Sequence, residues 1–211
     1  MPSEFDHPKS LRVLFPIIKG IATAIFWFFA APIFTKNRRS IPQSGSLLII
    51  SNHISNTDPI VVQYASSRLV HFLARKELFS MGLLGKFVTW WRGIPIKQSS
   101  ADKGAIKKAI EMLKSDAVVG IFPEGQLSPD GRLIELFEGT ALIIRLAECP
   151  CICVGLKGSN KLMPHPSVIP RWSFRKIEAR WGEPRTFTKS ASTEDIMGWI
   201  ESELKSLSDQ E

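Results

Sequence analysis

The sequence predicts an α/β fold in which a largely parallel sheet is flanked by helices and preceded by an apolar helical segment. Two patterns predict the sheet and its helices: short apolar runs bounded by turn residues, and segments of helical spacing between them. A third pattern, an uncharged stretch near the start of the chain, predicts the apolar segment. From Gly20 to Thr35 no residue is charged, and residues 21–34 are almost wholly apolar and aromatic. Lys9, Arg12 and Lys19 precede this run; Lys36, Arg38 and Arg39 follow it. It is short of the ~20 residues that a spanning helix needs, and Pro32 interrupts it. Basic residues on both sides suit a helix lying in an anionic membrane interface, or a re-entrant hairpin. A signal peptide is a rival reading, but basic residues stand where a polar mature start belongs. A helix that merely packs on the domain is the plainest alternative. The expectation is a membrane-anchoring segment over residues 1–40 and one α/β domain over 41–211.

The domain's elements follow in order. Residues 41–46, with Pro42 and Gly45, read as a turn leading into a buried strand, Leu47-Leu48-Ile49-Ile50. Residues 59–66 read as a helix, 70–74 as a short strand, 83–91 as a helix and 94–96 as a short or edge strand. Residues 101–113 are the clearest helix, with Ile106, Ala109, Ile110 and Leu113 at helical spacing. Residues 117–122 form a buried strand, 139–147 a helix and 151–156 another strand. Residues 174–181 alternate like an edge strand. Residues 193–207 form a polar helix capped by Ser192 or Thr193.

Charge narrows the partners. The 27 Lys and Arg outnumber the 20 Asp and Glu, for a net charge of +7. That favours an anionic membrane surface or a phosphorylated substrate. Nucleic acid is set aside, because no RNA-binding motif, zinc-finger spacing or Arg-rich tract occurs. The three cysteines all lie in Cys149-Pro150-Cys151-Ile152-Cys153. That spacing suits thiols on one face of a buried strand better than a zinc site, which wants a second ligand pair. No disulfide framework is indicated, so a reducing cytoplasm is the default.

Two strand ends are unusually polar, and ligands of such folds gather there. After the first strand comes Ser51-Asn52-His53-Ile54-Ser55-Asn56-Thr57-Asp58. A histidine with a carboxylate five residues on can serve as a general base near neutral pH. The competing reading makes Asp58 an N-cap before Pro59 and His53 an ordinary loop residue. After the strand at 117–122 comes Phe122-Pro123-Glu124-Gly125-Gln126-Leu127-Ser128. Its Pro-Glu-Gly reads as a tight turn that exposes Glu124 and frees backbone amides to face an anion.

Taken in order, these blocks resemble the glycerolipid acyltransferase family, typified by 1-acylglycerol-3-phosphate acyltransferase. Asn52-His53 through Asp58 matches the family's Asn-His-x4-Asp block, and Phe122-Pro123-Glu124-Gly125 its Phe-Pro-Glu-Gly block. Gly93-Ile94-Pro95-Ile96-Lys97 stands in the second block's place, Pro150 in the fourth's, and Phe137-Glu138-Gly139 adds to the likeness. The resemblance covers about residues 45–185. It implies that His53 is the general base on a lysophospholipid hydroxyl, with Asp58 orienting it. Asn52, Lys97, Glu124 and Gly125 would bind substrate. Acyl-CoA or acyl-carrier protein would be the donor, with no metal or other cofactor and with membrane phospholipids as partners at the cytoplasmic face.

Two departures bear on the acceptor. The third block continues Gln126-Leu127-Ser128 where the family has Thr-Arg-Ser, and Lys97 replaces an Arg that can bind phosphate bidentately. Arg132, Lys157 or Lys161 would have to supply the charge, or the acceptor would be another lysolipid such as lysophosphatidylethanolamine. A serine hydrolase lacks its Gly-x-Ser-x-Gly elbow here. A non-catalytic lipid-binding module is the remaining alternative.

Overall fold

The computed structural model describes residues 7–97, 102–167 and 169–209. The chain opens with helix α1 (Lys9–Phe28) and strand β1 (Ile33–Lys36), joined by residues 29–32. Strand β2 (Leu47–Ser51), helix α2 (Asp58–Ala65), strand β3 (His71–Arg75), helix α3 (Gly82–Trp90) and strand β4 (Ile94–Ile96) follow. Then come α4 (Lys103–Leu113), β5 (Val118–Ile121), α5 (Gly139–Ala147), β6 (Cys151–Lys157), the short α6 (Ser159–Leu162), β7 (Ile177–Trp181) and α7 (Thr193–Ser208).

One seven-stranded sheet runs in the order β1-β7-β6-β2-β5-β3-β4. Every neighbouring pair is parallel except β6 with β7. Alternate residues of the central strands point to opposite faces, and both faces are covered, so these strands read as unbroken apolar runs. On one face Leu48, Ile50, Val119, Ile121, Cys151 and Cys153 pack under α4, α5 and α7. On the other, Leu47, Ile49, Val118, Ile152 and Val154 meet Phe26 of α1 and Val61, Val62 and Ala65 of α2. Asp102 caps α4, accepting from the amides of Gly104 and Ala105, and Ser192 caps α7 through the amide of Asp195.

The cysteines lie where their spacing put them, with Cys151 and Cys153 buried on β6 and Cys149 buried just before it. Burial lifts the Cys149 thiol to about 11 and Cys151 to about 12, so neither is a thiolate at neutral pH.

The start of the chain differs from expectation. The apolar run is not one segment. Its first part belongs to a 20-residue helix that begins at Lys9 and is long and apolar enough to cross a membrane. The helix stops at Phe28, and Ala30 takes a positive φ of 50°. Residues 33–36, expected in the anchoring segment, form a sheet strand that pairs with residues 177–180 of β7. That pairing also corrects the reading of residues 174–181 as an edge strand. β1 covers the outer side of β7, whose strand begins only at Ile177. Glu178 of β7 bridges Lys36, Lys176 and Arg180, and the hydrogen bonds from Lys176 and Arg180 hold its carboxyl down to about 2.

α1 lies along the domain rather than projecting from it. Ser10 accepts from the Trp90 indole at 3.2 Å, and Phe15 meets Trp91. The Thr23 hydroxyl lies 3.3 Å from that of Tyr64, and Lys19 sits over the Tyr64 ring. Its outward side carries Val13, Leu14, Ile17, Ile21, Ile25 and Phe28, all exposed.

Candidate active site

Strand register gathers the polar blocks. Ile50 pairs with Ile121, and Leu73 with Ile94. Pairing of His71 and Phe72 with Val119 and Gly120 sets Leu73 beside Ile121. Ile50, Ile121, Leu73 and Ile94 therefore make one row across four parallel strands. His53, Glu124, Lys76 and Lys97 each come three residues after that row, at the same rim of the sheet.

The His53 ring is 16% exposed and stacks on Phe122, with centroids 4.1 Å apart. Its Nδ1 lies 3.0 Å from Oδ2 of Asp58, whose side chain is fully buried. Oδ2 also accepts from the amides of Ile54 and Ser55, each at 2.7 Å. Oδ1 accepts from the Ser159 hydroxyl at 2.6 Å. Asp58 is thus the first residue of α2, not its cap; its carboxylate turns back to fix the loop that carries His53. A carboxylate can only accept, so Nδ1 carries the proton and Nε2 keeps a lone pair. Among the described residues the ring hydrogen-bonds to Asp58 alone. Among the described residues no serine is placed on it as a nucleophile, and Ser159 is bonded to the aspartate instead.

Glu124 holds the same histidine by its backbone. It is 1% exposed; Oε1 accepts from the His53 amide at 2.7 Å, and Oε2 from that of Ile134 at 3.2 Å. Two residues after the turn, the Ser128 amide donates to the His53 carbonyl at 2.8 Å. Both main-chain groups of His53 are thereby tied to the loop after β5. Burial raises the Glu124 carboxyl from its ordinary 4.5 to about 7, against the pull of the two amides it accepts from.

Three of the residues expected to bind substrate are placed otherwise. Asn52 is fully buried, with Nδ2 donating to the Leu156 carbonyl at 3.0 Å and Oδ1 accepting from its amide at 2.7 Å. Its amide takes the place of a peptide group between β2 and β6, and nothing of it reaches the rim. Glu124 is turned inward, not exposed, because its oxygens are occupied by backbone amides. The Gly125 amide donates to the Phe122 carbonyl and is not free to face an anion. The glycine is required for shape: its φ is +63°, and a Cβ there would come within 2.6 Å of the Phe137 ring.

Lys97 is exposed at the end of β4, its amide tied to Asp102. It stands three strand spacings from β2, ~14 Å along the rim. The neighbouring end of β3 offers Arg75 and Lys76, both exposed and nearer to His53 in the strand order. The strand expected over 70–74 stopped short of them, although two cations ending an apolar strand were the available signal. Ser159 offered no local signal, being 101 residues from Asp58.

A polar cavity of about 180 Å³ adjoins the loop, lined among others by Ile54, Ser128, Asp130, Lys161, His165 and Arg171. Of the basic residues expected to replace the missing arginine, Lys161 lines it, whereas Lys157 is paired with Asp209 at 3.1 Å. Gln126 is exposed at the turn. Among the described residues no group of three His, Cys, Asp or Glu side chains is placed to hold a metal ion.

Comparison with known proteins agrees on a family. The acyltransferase family pattern matches residues 32–157, more than half of the chain. The 1-acyl-sn-glycerol-3-phosphate acyltransferase of Bacillus subtilis is 25% identical over 125 residues, 59% of this chain and 62% of its own length. The protein of the same name from Streptococcus pneumoniae is 24% identical over 176 residues, 82% of this chain and 63% of its own. The chain thus spans just over three fifths of these two relatives. The crystal structure of the 1-acyl-sn-glycerophosphate (LPA) acyltransferase PlsC from Thermotoga maritima matches with a TM-score of 0.79. That match covers 97% of this chain and 82% of that one at 23% identity, a likeness of fold.

Proposed function

This chain belongs to the acyltransferase family, and on that premise we propose that it moves a fatty acyl group from an acyl thioester to the free hydroxyl of a lysophospholipid. The first acceptor to consider is 1-acylglycerol-3-phosphate, giving phosphatidic acid, the activity for which its curated relatives are named. The observation that carries the reading is the His53–Asp58 pair, with Asp58 held by three further donors and, among the described residues, no nucleophilic side chain on the imidazole.

In this reading Nε2 of His53 takes the hydroxyl proton as the oxygen attacks the thioester carbonyl. The C–O bond forms, the C–S bond breaks, and the imidazolium returns the proton to the departing thiolate. Asp58 keeps the imidazole in the right tautomer and stabilises its cation. The reaction needs no metal or other cofactor. Its donor is acyl-CoA or acyl-carrier protein. A positioned base supplies about 10²–10⁴ in rate, and placement of the two substrates supplies much of the rest.

The cations at the rim support an anionic acceptor. Lys76 and Lys97 flank the strand ends, and Lys161 and Arg171 line the cavity beside the loop. The exposed Gln126 in place of an arginine favours a second acceptor, a phosphodiester lysolipid such as lysophosphatidylethanolamine. Contacts along the whole length of α1 support a helix that lies in the interface instead of crossing it. Three unpaired thiols and water-soluble donors favour the cytoplasmic face.

The test is acyl transfer by the purified protein from labelled acyl-CoA and, in parallel, acyl-carrier protein, to lysophosphatidate, lysophosphatidylethanolamine and glycerol 3-phosphate. Transfer to lysophosphatidate should fall by at least ~10²-fold in His53→Ala. Transfer confined to another lysolipid keeps the mechanism and moves the acceptor. A folded protein inactive on the whole panel makes the chain a lipid-binding module.

A further inference from the structure

We propose that residues 169–176, the segment leading into β7, form a second membrane anchor that docks on an anionic bilayer beside α1. The proposal rests on the interfacial reading of α1. The segment is Ile169-Pro170-Arg171-Trp172-Ser173-Phe174-Arg175-Lys176, aromatics interleaved with cations and without an acid. Its large apolar side chains stand in solvent: Ile169 is 73% exposed, Trp172 54% and Phe174 76%. Phe174 has a φ of +51°, a conformation that costs a bulky residue energy and here holds its ring outward instead of into the core.

The segment is fastened to the end of α1. The Ser173 amide donates to the Phe29 carbonyl at 3.0 Å. The Trp172 ring lies 5.0 Å from Phe28 and 6.1 Å from Phe174, centroid to centroid. One exposed apolar edge therefore runs from the outer stripe of α1 through Phe28 to Trp172 and Phe174. Tryptophan and phenylalanine beside arginine and lysine is the composition that settles at headgroup depth. The occupant follows from charge. Arg175 is exposed at the border of this edge, beside a Lys176 that pairs with Glu178, on a chain of net charge +7, which repels a second copy and attracts anionic lipid.

The experiment is sedimentation of the full chain with extruded vesicles of phosphatidylcholine, alone or with 30% phosphatidylglycerol. Phe174→Asn removes the ring and tolerates the positive φ. It should weaken partition roughly 10-fold on both vesicles. Arg175→Gln should weaken it about 5-fold, and only on the anionic vesicles. Ile21→Ser, on the exposed stripe of α1, serves as the comparison. Thermal midpoints confirm that each variant is folded. If Phe174→Asn partitions like the parent while Ile21→Ser falls off, α1 is the whole anchor and the proposal fails alone. A parent protein that binds neither vesicle overturns the interfacial reading and this proposal with it. If light scattering shows a parent dimer that Phe174→Asn dissolves, with vesicle binding unchanged, the edge is covered by a second copy and the proposal is overturned.

Discussion

Asp58 and Glu124 hold the same histidine by different atoms, the first by its ring and the second by its main chain. The difference shows in pH dependence. With its carboxyl raised to about 7 in the folded chain and at an ordinary 4.5 when unfolded, Glu124 binds a proton in the native state that the unfolded state has lost. Its contribution to stability is whole below pH 4.5, is lost as pH rises towards 7, and then levels off. The loss totals roughly 3 kcal/mol, about 2 kcal/mol of it between pH 5 and pH 8. Glu124→Gln cannot titrate, and its amide nitrogen confronts one of the two N–H groups. Urea unfolding of the two proteins should therefore show a parental advantage that is largest at pH 5 and shrinks by about that amount at pH 8. His53 and Asp58 were legible in the sequence because a short loop carries both. The placements of Asn52 and Glu124 were not, because each bonds to main-chain groups that only the assembled sheet brings near.

Among the elements, α7 depends on a strand with no side chain beneath it. A Cβ on Gly155 of β6 would collide with the backbone of Leu207, which cannot swing aside. Gly155→Ala should cost about 2 kcal/mol and lower the melting midpoint by roughly 6 °C, read by calorimetry. Elements with a strong internal period were legible. α4 shows its apolar spacing, and β2, β5 and β6 read as unbroken apolar runs because both faces of the sheet are covered. The boundary at residues 29–32 was hidden. Apolar residues continue across it from α1 into β1, and only the turn at Ala30 and Pro32 marks the change. β7 looked like an edge because the strand that covers it comes from the far end of the sequence.

For the whole molecule, parallel strand order explains why blocks so far apart in the sequence form one site. Four strands point the same way and share a register, so residues equally far beyond one row meet at one rim. Alternating strand and helix patterns made that architecture legible, but strand order is set by pairings between distant residues and had to be observed. The link between α1 and β1 has a further consequence. Residues 29–32 span at most ~14 Å and are pinned at both sides, the Ala31 amide to Phe26 and the Pro32 carbonyl to Ile177. On the proposed interfacial placement of α1, a protein tied so tightly to that helix meets its lipid by a search in two dimensions. Its rate at saturating donor should follow the mole fraction of acceptor in the vesicle. Adding inert phosphatidylcholine at constant total acceptor should slow turnover, as surface dilution does, although the bulk concentration has not changed.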